Sequence, residues 1–220
     1  MVSEWVYWHR GYVTGSPLSL RLGVVQDLIR TALDGCAPGA IRVISMCAGD
    51  GRDLLGVLED HPRRADVHAR LVELDPELVA RGRKRATRIP SDLEVVNADA
   101  SITSAYAHAV PADIVLLCGV FGNITDEDVM RTVDRLPTLC APGATVIWTR
   151  GTFAPDLTPT IREWFEAGGF SELAFVAIPK TTAGVGAHRL TTPPRAFEPD
   201  MRLFTFLSRA ERPSWRHRAR

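Results

Sequence analysis

The sequence predicts an α/β fold: a three-layer sandwich with a mostly parallel sheet of seven strands and helices on both faces. Three observations predict it. Short β-branched runs alternate with helical segments along the chain, the pattern of successive strand–helix–strand units. The fourth run, Asp113–Cys118, is continuously apolar, as a parallel strand covered on both faces should be. The 220 residues, 45% hydrophobic and 24% charged, suffice for one full core and are few for two domains.

The elements follow in order. Ser16-Pro17 places a capping side chain before a proline in the first turn, so a helix is expected from there to about Asp34. Ile41–Met46 is the first strand, followed by a glycine-rich turn and a helix that Pro62 stops near Asp60. Val67–Glu73 is the second strand, and Asp75-Pro76 caps and opens the next helix. Leu93–Val96 is the third strand, and Ser101–His108 a short helix. After the fourth strand, Thr125 caps an acid-rich helix to about Leu139, and Ala144–Thr149 is the fifth strand. Thr158-Pro159 starts a helix that Gly168-Gly169 ends. Glu172–Ile178 and Arg202–Leu207 read as the last two strands, joined by a long Thr/Gly/Pro-rich loop of the kind that often serves as a lid. The expected organisation is an N-terminal helical and aromatic segment (1–37), one main domain (38–210) and a basic tail (211–220).

Composition excludes several classes. The 26 Lys+Arg balance 26 Asp+Glu, so nothing global favours nucleic acid or an anionic membrane as partner. The local basic runs, Arg81/Arg83/Lys84/Arg85 and Arg212/Arg216/Arg218/Arg220, read as solvated faces. Cys36, Cys47, Cys118 and Cys140 show no metal-ligand spacing, and three of them lie in or beside apolar runs. They read as reduced thiols of a cytoplasmic protein that holds no metal. The first ten residues lack the apolar core of a signal peptide, and the longest apolar stretch, Ile114–Gly122, is too short to span a bilayer. A small-molecule partner is expected, and a homodimer is compatible with the sequence.

The sharpest chemical feature is Val43-Ile44-Ser45-Met46-Cys47-Ala48-Gly49-Asp50-Gly51-Arg52-Asp53. A strand runs into small residues and two glycines, then into a helix whose first turn presents free N–H groups. Roughly twenty residues on, Leu71-Val72-Glu73-Leu74-Asp75-Pro76 ends the second strand on an acid, placed to accept hydrogen bonds from a ribose diol. Asp75 sits at the helix cap; Glu73 is too early to cap and takes the ribose role. Asn97-Ala98-Asp99-Ala100 follows the third strand, where a side-chain acceptor among small neighbours suits an adenine amino group or a plain turn.

In this order the chain resembles the class I, Rossmann-like S-adenosylmethionine-dependent methyltransferases, over roughly residues 38–178. The resemblance implies a seven-stranded sheet with one antiparallel strand and an S-adenosylmethionine site, with S-adenosylhomocysteine as product. It implies a cofactor lining of Cys47, Ala48, Gly49, Asp50, Glu73, Leu74, Ala98, Asp99, Ala100, Cys118 and Gly119, with Gly51 bordering the methionine part. The family usually has an acid at the position of Ser45 and a glycine at that of Cys47. The missing acid leaves Asp50 or Asp53 to answer the methionine ammonium.

The resemblance also puts the residues after the fourth strand, among them Phe121 and Asn123, beside the transferred methyl. The Asn/Asp-Pro-Pro-aromatic signature of DNA amino-methyltransferases is absent, and no three-carboxylate metal set is apparent. A small-molecule acceptor remains, with O-methylation favoured over N or C. His188 in the late loop is the first candidate base and His9 the second; Arg189 is a candidate for a substrate carboxylate. Trp5, Tyr7, Trp8 and Tyr12 form an N-terminal aromatic patch, core extension or site cover, so Trp8 and Tyr12 join the candidate substrate contacts. A nicotinamide oxidoreductase is the rival enzyme, but Leu54 stands after the glycine pair, and Lys84 and Lys180 are the only lysines, with no Tyr-x-x-x-Lys. A non-catalytic methyltransferase-like binding protein is the other rival.

Overall fold

The computed structural model describes residues 4–179, 181–208 and 210–211, with the side chains of residues 4, 8 and 10 outside that description. The expected basic tail from Arg212 onward and the side chain of Trp8 therefore lie outside the described residues. Helices α1 (Glu4–Trp8) and α2 (Pro17–Gly35) precede β1 (Ile41–Met46), α3 (Leu54–Leu58), β2 (Val67–Glu73), α4 (Pro76–Ala86) and β3 (Asp92–Asn97). Then come β4 (Ala112–Leu117), α5 (Asp126–Arg135), β5 (Cys140–Gly151), α6 (Thr158–Ala167), β6 (Phe170–Ala177) and β7 (Ala183–Leu190). The seven strands make one sheet in the order β3-β2-β1-β4-β5-β7-β6. Six run parallel, and β7 runs antiparallel to both neighbours.

Local chemistry sets the boundaries. Ser16 accepts from the Ser19 N–H at the head of α2, and Pro17 fills the first turn. Asp75 accepts from the N–H groups of Glu77 and Leu78 to start α4, and Thr125 accepts from that of Asp128 to start α5. Asp126, Glu127 and Asp128 then sit against the positive end of the α5 dipole. Between the helices β4 is buried almost end to end. The side chains divide into two apolar layers. One takes Val25 and Ile29 of α2, Leu54–Leu58 of α3 and Val79 of α4; the other takes Val129 and Val133 of α5 with Ile161 and Phe165 of α6. Among the described residues no helix is long and apolar enough to cross a membrane.

The last strand is not where the sequence reading put it. Arg202–Leu207 is extended but unladdered, with one isolated bridge between Arg202 and Ile102. It runs past the sheet ends instead: the Leu203 N–H donates to Ser101 O, that of Thr205 to Asp128 Oδ2 and that of Leu207 to Asn123 O. The apolar run there reports burial of Leu203 and Phe204, not pairing. The strand is Ala183–Leu190, inside the supposed loop. Its glycines look like a loop but serve close packing: a Cβ on Gly186 would lie 2.3 Å from Trp148 Cε2, and one on Gly184 2.8 Å from Phe175 Cζ.

This moves His188 from a loop to the middle of β7, where it pairs with Val146 and Glu172. Its ring is buried, stacks on Phe165 at 4.3 Å and takes a hydrogen bond at Nδ1 from Trp148 Nε1 (3.1 Å). Its Nε2 faces Glu172 Oε2 at 3.7 Å. Burial pushes its pKa from 6.5 to about 4, Glu172 pulling it up and Arg162 pushing it down. The unfolded chain therefore binds this proton more readily than the folded one. The contribution is intact above pH 6.5 and lost as pH falls toward 4, by at most about 3 kcal/mol. Wild type should lose stability relative to His188→Phe across that window in pH-dependent denaturation. A difference between the two that stays constant with pH would contradict this placement.

Candidate functional site

The turn after β1 is held in a glycine-like backbone even where it has no glycine. Cys47, Gly49 and Gly51 have φ of 53°, 59° and 71°, left-handed values that a cysteine adopts only at a cost of order 1–3 kcal/mol. The Ala48 N–H donates to Val72 O and that of Gly51 to Ala48 O, which ties the turn to β2 and closes it on itself. Glu73 reaches across from the end of β2. Its Oε2 accepts from the Gly49 N–H (2.8 Å), and its Oε1 from those of Leu74 (2.9 Å) and Asp75 (2.8 Å). Glu73 is only 8% exposed, and burial raises its pKa while the three N–H groups oppose the rise. A carboxylate has about four acceptor sites, so about one, on Oε2, is left for a ligand hydroxyl, fewer than a ribose diol could use.

The loop acids separate into two kinds. Asp50 is turned toward Arg52, whose Nε and Nη2 bond its two oxygens at 2.8 and 2.6 Å; Arg85 and His9 lie at 3.8 and 3.7 Å. Burial pushes the Asp50 carboxyl up, but the Arg52 contacts, with His9 and Arg85, bring it below the usual range. Asp53 instead caps α3, accepting from the Leu54 N–H (2.8 Å), and burial raises its pKa. Ser45, where the resemblance anticipates an acid, is 1% exposed within the sheet.

The N-terminal segment packs onto this loop. A Cβ on Gly49 would sit 2.5 Å from His9 Cε1. Burial takes His9 to a pKa of about 4, Asp50 pulling it up and Arg52, Arg81 and Arg21 pushing it down, so the ring is neutral at pH 7. Tyr12 accepts from Arg21 Nη2 (2.9 Å) and lies under the Arg52 guanidinium at 4.1 Å. Tyr12, expected among the substrate contacts, thus stands beside Arg52 of the glycine loop.

After β3, Ala98 N–H donates to Glu73 O and Asn97 Nδ2 to the carbonyls of Glu73 and Leu74. Asp99 Oδ1 accepts from Ser101 N (2.9 Å) and Oγ (2.6 Å), while Oδ2 faces Arg202 Nη1 at 3.6 Å. Leu74 is 66% exposed at the rim and Ala100 is buried. Beyond β4, the Gly119 N–H donates to Thr149 Oγ1 (2.8 Å) and Asn123 Nδ2 to Gly119 O (2.5 Å). Burial raises the Cys47 and Cys118 thiols, so neither is an activated nucleophile at neutral pH. Among the described residues, no group of three or more His, Cys, Asp or Glu is placed to hold a metal ion.

Three expected residues fall away from this cleft. Phe121 is fully buried in the aromatic core, its ring 5.8 Å from Trp148 and 6.4 Å from Phe165, because the apolar run of β4 continues into the layer under α6. His188 is a core residue of β7, so its role as base, which rested on a loop, loses its basis. Arg189 pairs with Thr145 and reaches over Gly35 at the C-terminal end of α2, the end opposite the glycine loop. One residue is missed by the sequence reading. Arg150, at the end of β5, donates to Phe121 O and pairs with Asp126 (3.3 Å), and burial lowers its pKa. A single arginine after an apolar strand looks like an ordinary strand end, so the sequence carried no signal for it.

No family model matches the sequence and no curated protein is similar to it. Solved structures are similar in fold. An O-methyltransferase family protein from Burkholderia thailandensis superposes with TM-score 0.60 at 16% identity, over 78% of this chain and 55% of that one, so this chain spans about half its length. Magnesium protoporphyrin IX methyltransferase from Synechocystis PCC 6803, solved with bound S-adenosylmethionine, gives 0.61 at 14% identity over 83% and 88% of the two chains. The 1,6-didemethyltoxoflavin-N1-methyltransferase of B. thailandensis, solved with that compound and S-adenosylhomocysteine, gives 0.61 at 16% over 78% of each.

Proposed function

Since the chain has the fold of the class I S-adenosylmethionine-dependent methyltransferases, we propose that it binds S-adenosylmethionine and transfers its methyl group to a small-molecule oxygen. The observation that carries this reading is the clasp between Glu73 Oε2 and the Gly49 N–H over a turn with left-handed backbone at 47, 49 and 51. Gly49 is packed under His9 and Gly51 against Leu55 and Leu71, but a core has no need of a buried carboxylate at the end of β2 that keeps an acceptor site beyond its three N–H partners.

The residues present are compatible with the cofactor: Glu73 Oε2 has an acceptor site for a ribose hydroxyl, and the exposed Leu74 and the Ala98-Asp99 turn follow β2 and β3, where the resemblance implies the adenine. When bound, S-adenosylmethionine supplies a methyl carbon already activated by its sulfonium, so the protein's work is positioning and exclusion of water. The Gly119 N–H fixed on Thr149, and Asn123 folded back on Gly119 O, hold the turn after β4 in one shape for the approaching acceptor. The ends of β4 and β5 carry Asn123, Thr149 and Arg150 but no histidine. An acceptor oxygen that arrives ionised needs no base, and Arg150 is the cation that the end of β5 carries.

Incubation with S-adenosylmethionine and pools of small phenols and carboxylic acids, read as S-adenosylhomocysteine released, tests this proposal. Release that depends on one pool supports it. Tight S-adenosylhomocysteine binding with no release from any pool would favour a non-catalytic binding protein, the reading that Ser45 and Cys47 keep in view.

A further inference from the structure

We propose that the cleft where α2, α4 and the glycine turn meet is a second binding site, one that takes the oxyanion group of a small molecule. It does not depend on the methyltransferase reading above.

The cleft has a volume of about 480 Å³, within the range of small-molecule sites. Four parts of the chain line it. Tyr12 and Thr14 come from the segment before α2, Leu22 and Gln26 from α2, Arg52 from the glycine turn and Arg85 from the last turn of α4. Gln26 Nε2 donates to Arg52 O (2.9 Å), which seats α2 against the turn. Asp53, next in the chain, is instead buried at the cap of α3. None of Glu73, Ala98, Asp99, Gly119, Asn123 or Arg150 lines the cleft. It is therefore apart from the strand ends to which the cofactor and acceptor are assigned.

The charge of the lining is one-sided: two guanidiniums and no carboxylate. Arg52 gives Nε and Nη2 to Asp50, which leaves Nη1 outside that pair. Its guanidinium lies 4.1 Å over the Tyr12 ring, a stack that holds the plane of the fork. Arg85 is the less satisfied of the two. Among the described residues its Nε is buried without a hydrogen-bond partner. Its Nη1 and Nη2 reach Asp50 and Glu59 at 3.8 and 3.7 Å, beyond hydrogen-bond length. Asp50 is already held by Arg52, and the Glu59 side chain is 60% exposed, so water screens that pair. Buried donors normally find a partner, and this guanidinium has none at bonding distance. A phosphate or carboxylate in the cleft would accept from the Nη groups of both arginines, each on a different element. Leu22 and the Tyr12 ring offer an apolar wall that a free ion would not use.

Calorimetric titration of the full chain at constant ionic strength tests this with phenyl phosphate, benzoate and inorganic phosphate. Wild type should bind one of the two aromatic probes saturably and more tightly than inorganic phosphate; the tighter of the two names the oxyanion. Arg85→Gln removes a cation on α4, and Thr14→Asp adds a carboxylate to the lining from another segment. Each should weaken that probe at least tenfold and leave S-adenosylhomocysteine affinity within about twofold. No saturable heat from any of the three probes would overturn the proposal. So would an affinity that both variants leave unchanged, or one that saturating S-adenosylhomocysteine abolishes, which would put the anion in the cofactor's own site. Inorganic phosphate bound as tightly as the aromatic probes would overturn the small-molecule part. Probe binding that the variants lose, in a chain that binds no S-adenosylhomocysteine, would leave this site standing and remove the methyltransferase reading instead.

Discussion

Glu73→Gln should weaken S-adenosylhomocysteine binding at least tenfold and lower the stability of the folded chain at the same time. The side chain has two jobs that a carboxamide cannot both do. As a carboxylate it accepts from three backbone N–H groups, those of Gly49, Leu74 and Asp75, and keeps an acceptor site for the ribose. A glutamine has one acceptor oxygen, so either the Gly49 N–H or the Leu74/Asp75 turn loses its partner. An unsatisfied buried donor costs about 1–3 kcal/mol, and the ribose contact, charge-assisted in wild type, is worth a similar amount. Glu73→Ala should be worse on both counts. The measurements are calorimetric titration and denaturant unfolding of the same preparations. Affinity unchanged alongside a stability loss would leave Glu73 a loop staple alone and shift the ribose contact to another group.

Phe165→Ala should cost about 3–5 kcal/mol, the range for emptying a buried aromatic site. Phe165 is fully buried on α6. It lies parallel to Trp148 (5.9 Å, 11°), stacks on His188 (4.3 Å) and meets Phe170 edge-on (5.3 Å, 85°). The cluster joins α6 to β5, β6 and β7, so the vacancy opens where four elements meet. His188→Ala should likewise lower stability and leave S-adenosylhomocysteine affinity near wild type. Denaturant midpoints for both variants decide the matter. A loss under about 1.5 kcal/mol for Phe165→Ala, the scale of a tolerated swap, would mean that β7 does not pack as described.

The contrast between these two regions explains what a sequence can reveal here. From α2 to β5 the main elements carry their own local signals, whereas the short α1 had none. Ser16, Asp75 and Thr125 are caps with measurable partners, Pro17 and Pro76 fill first turns, and β1 and β2 have the bounds that periodicity assigns. The clasp acid was legible because an acid at a strand end, followed by a separate capping acid, has little else to do. Its three backbone partners were not, since they depend on how far the turn after β1 folds toward β2. The C-terminal third misled for a physical reason. Gly184 and Gly186 make room for Phe175 and Trp148 across the sheet, a tertiary demand that looks locally like a loop. Arg202–Leu207 has the apolar and aromatic content of a strand but finds its hydrogen bonds on Ser101, Asp128 and Asn123. With the strand misplaced, His188 and Arg189 were carried to the wrong side of the molecule. Arg150 went unnoticed because only the fold brings the end of β5 beside Phe121 O and Asp126.

Calorimetric titration of the wild-type chain with S-adenosylhomocysteine, and separately with NAD, bears most directly on the cofactor. A dissociation constant at the micromolar level, about −8 kcal/mol, for S-adenosylhomocysteine and no heat with NAD is the expected result. Binding of NAD with none of S-adenosylhomocysteine would contradict it and return the glycine loop and Glu73 to a dinucleotide site.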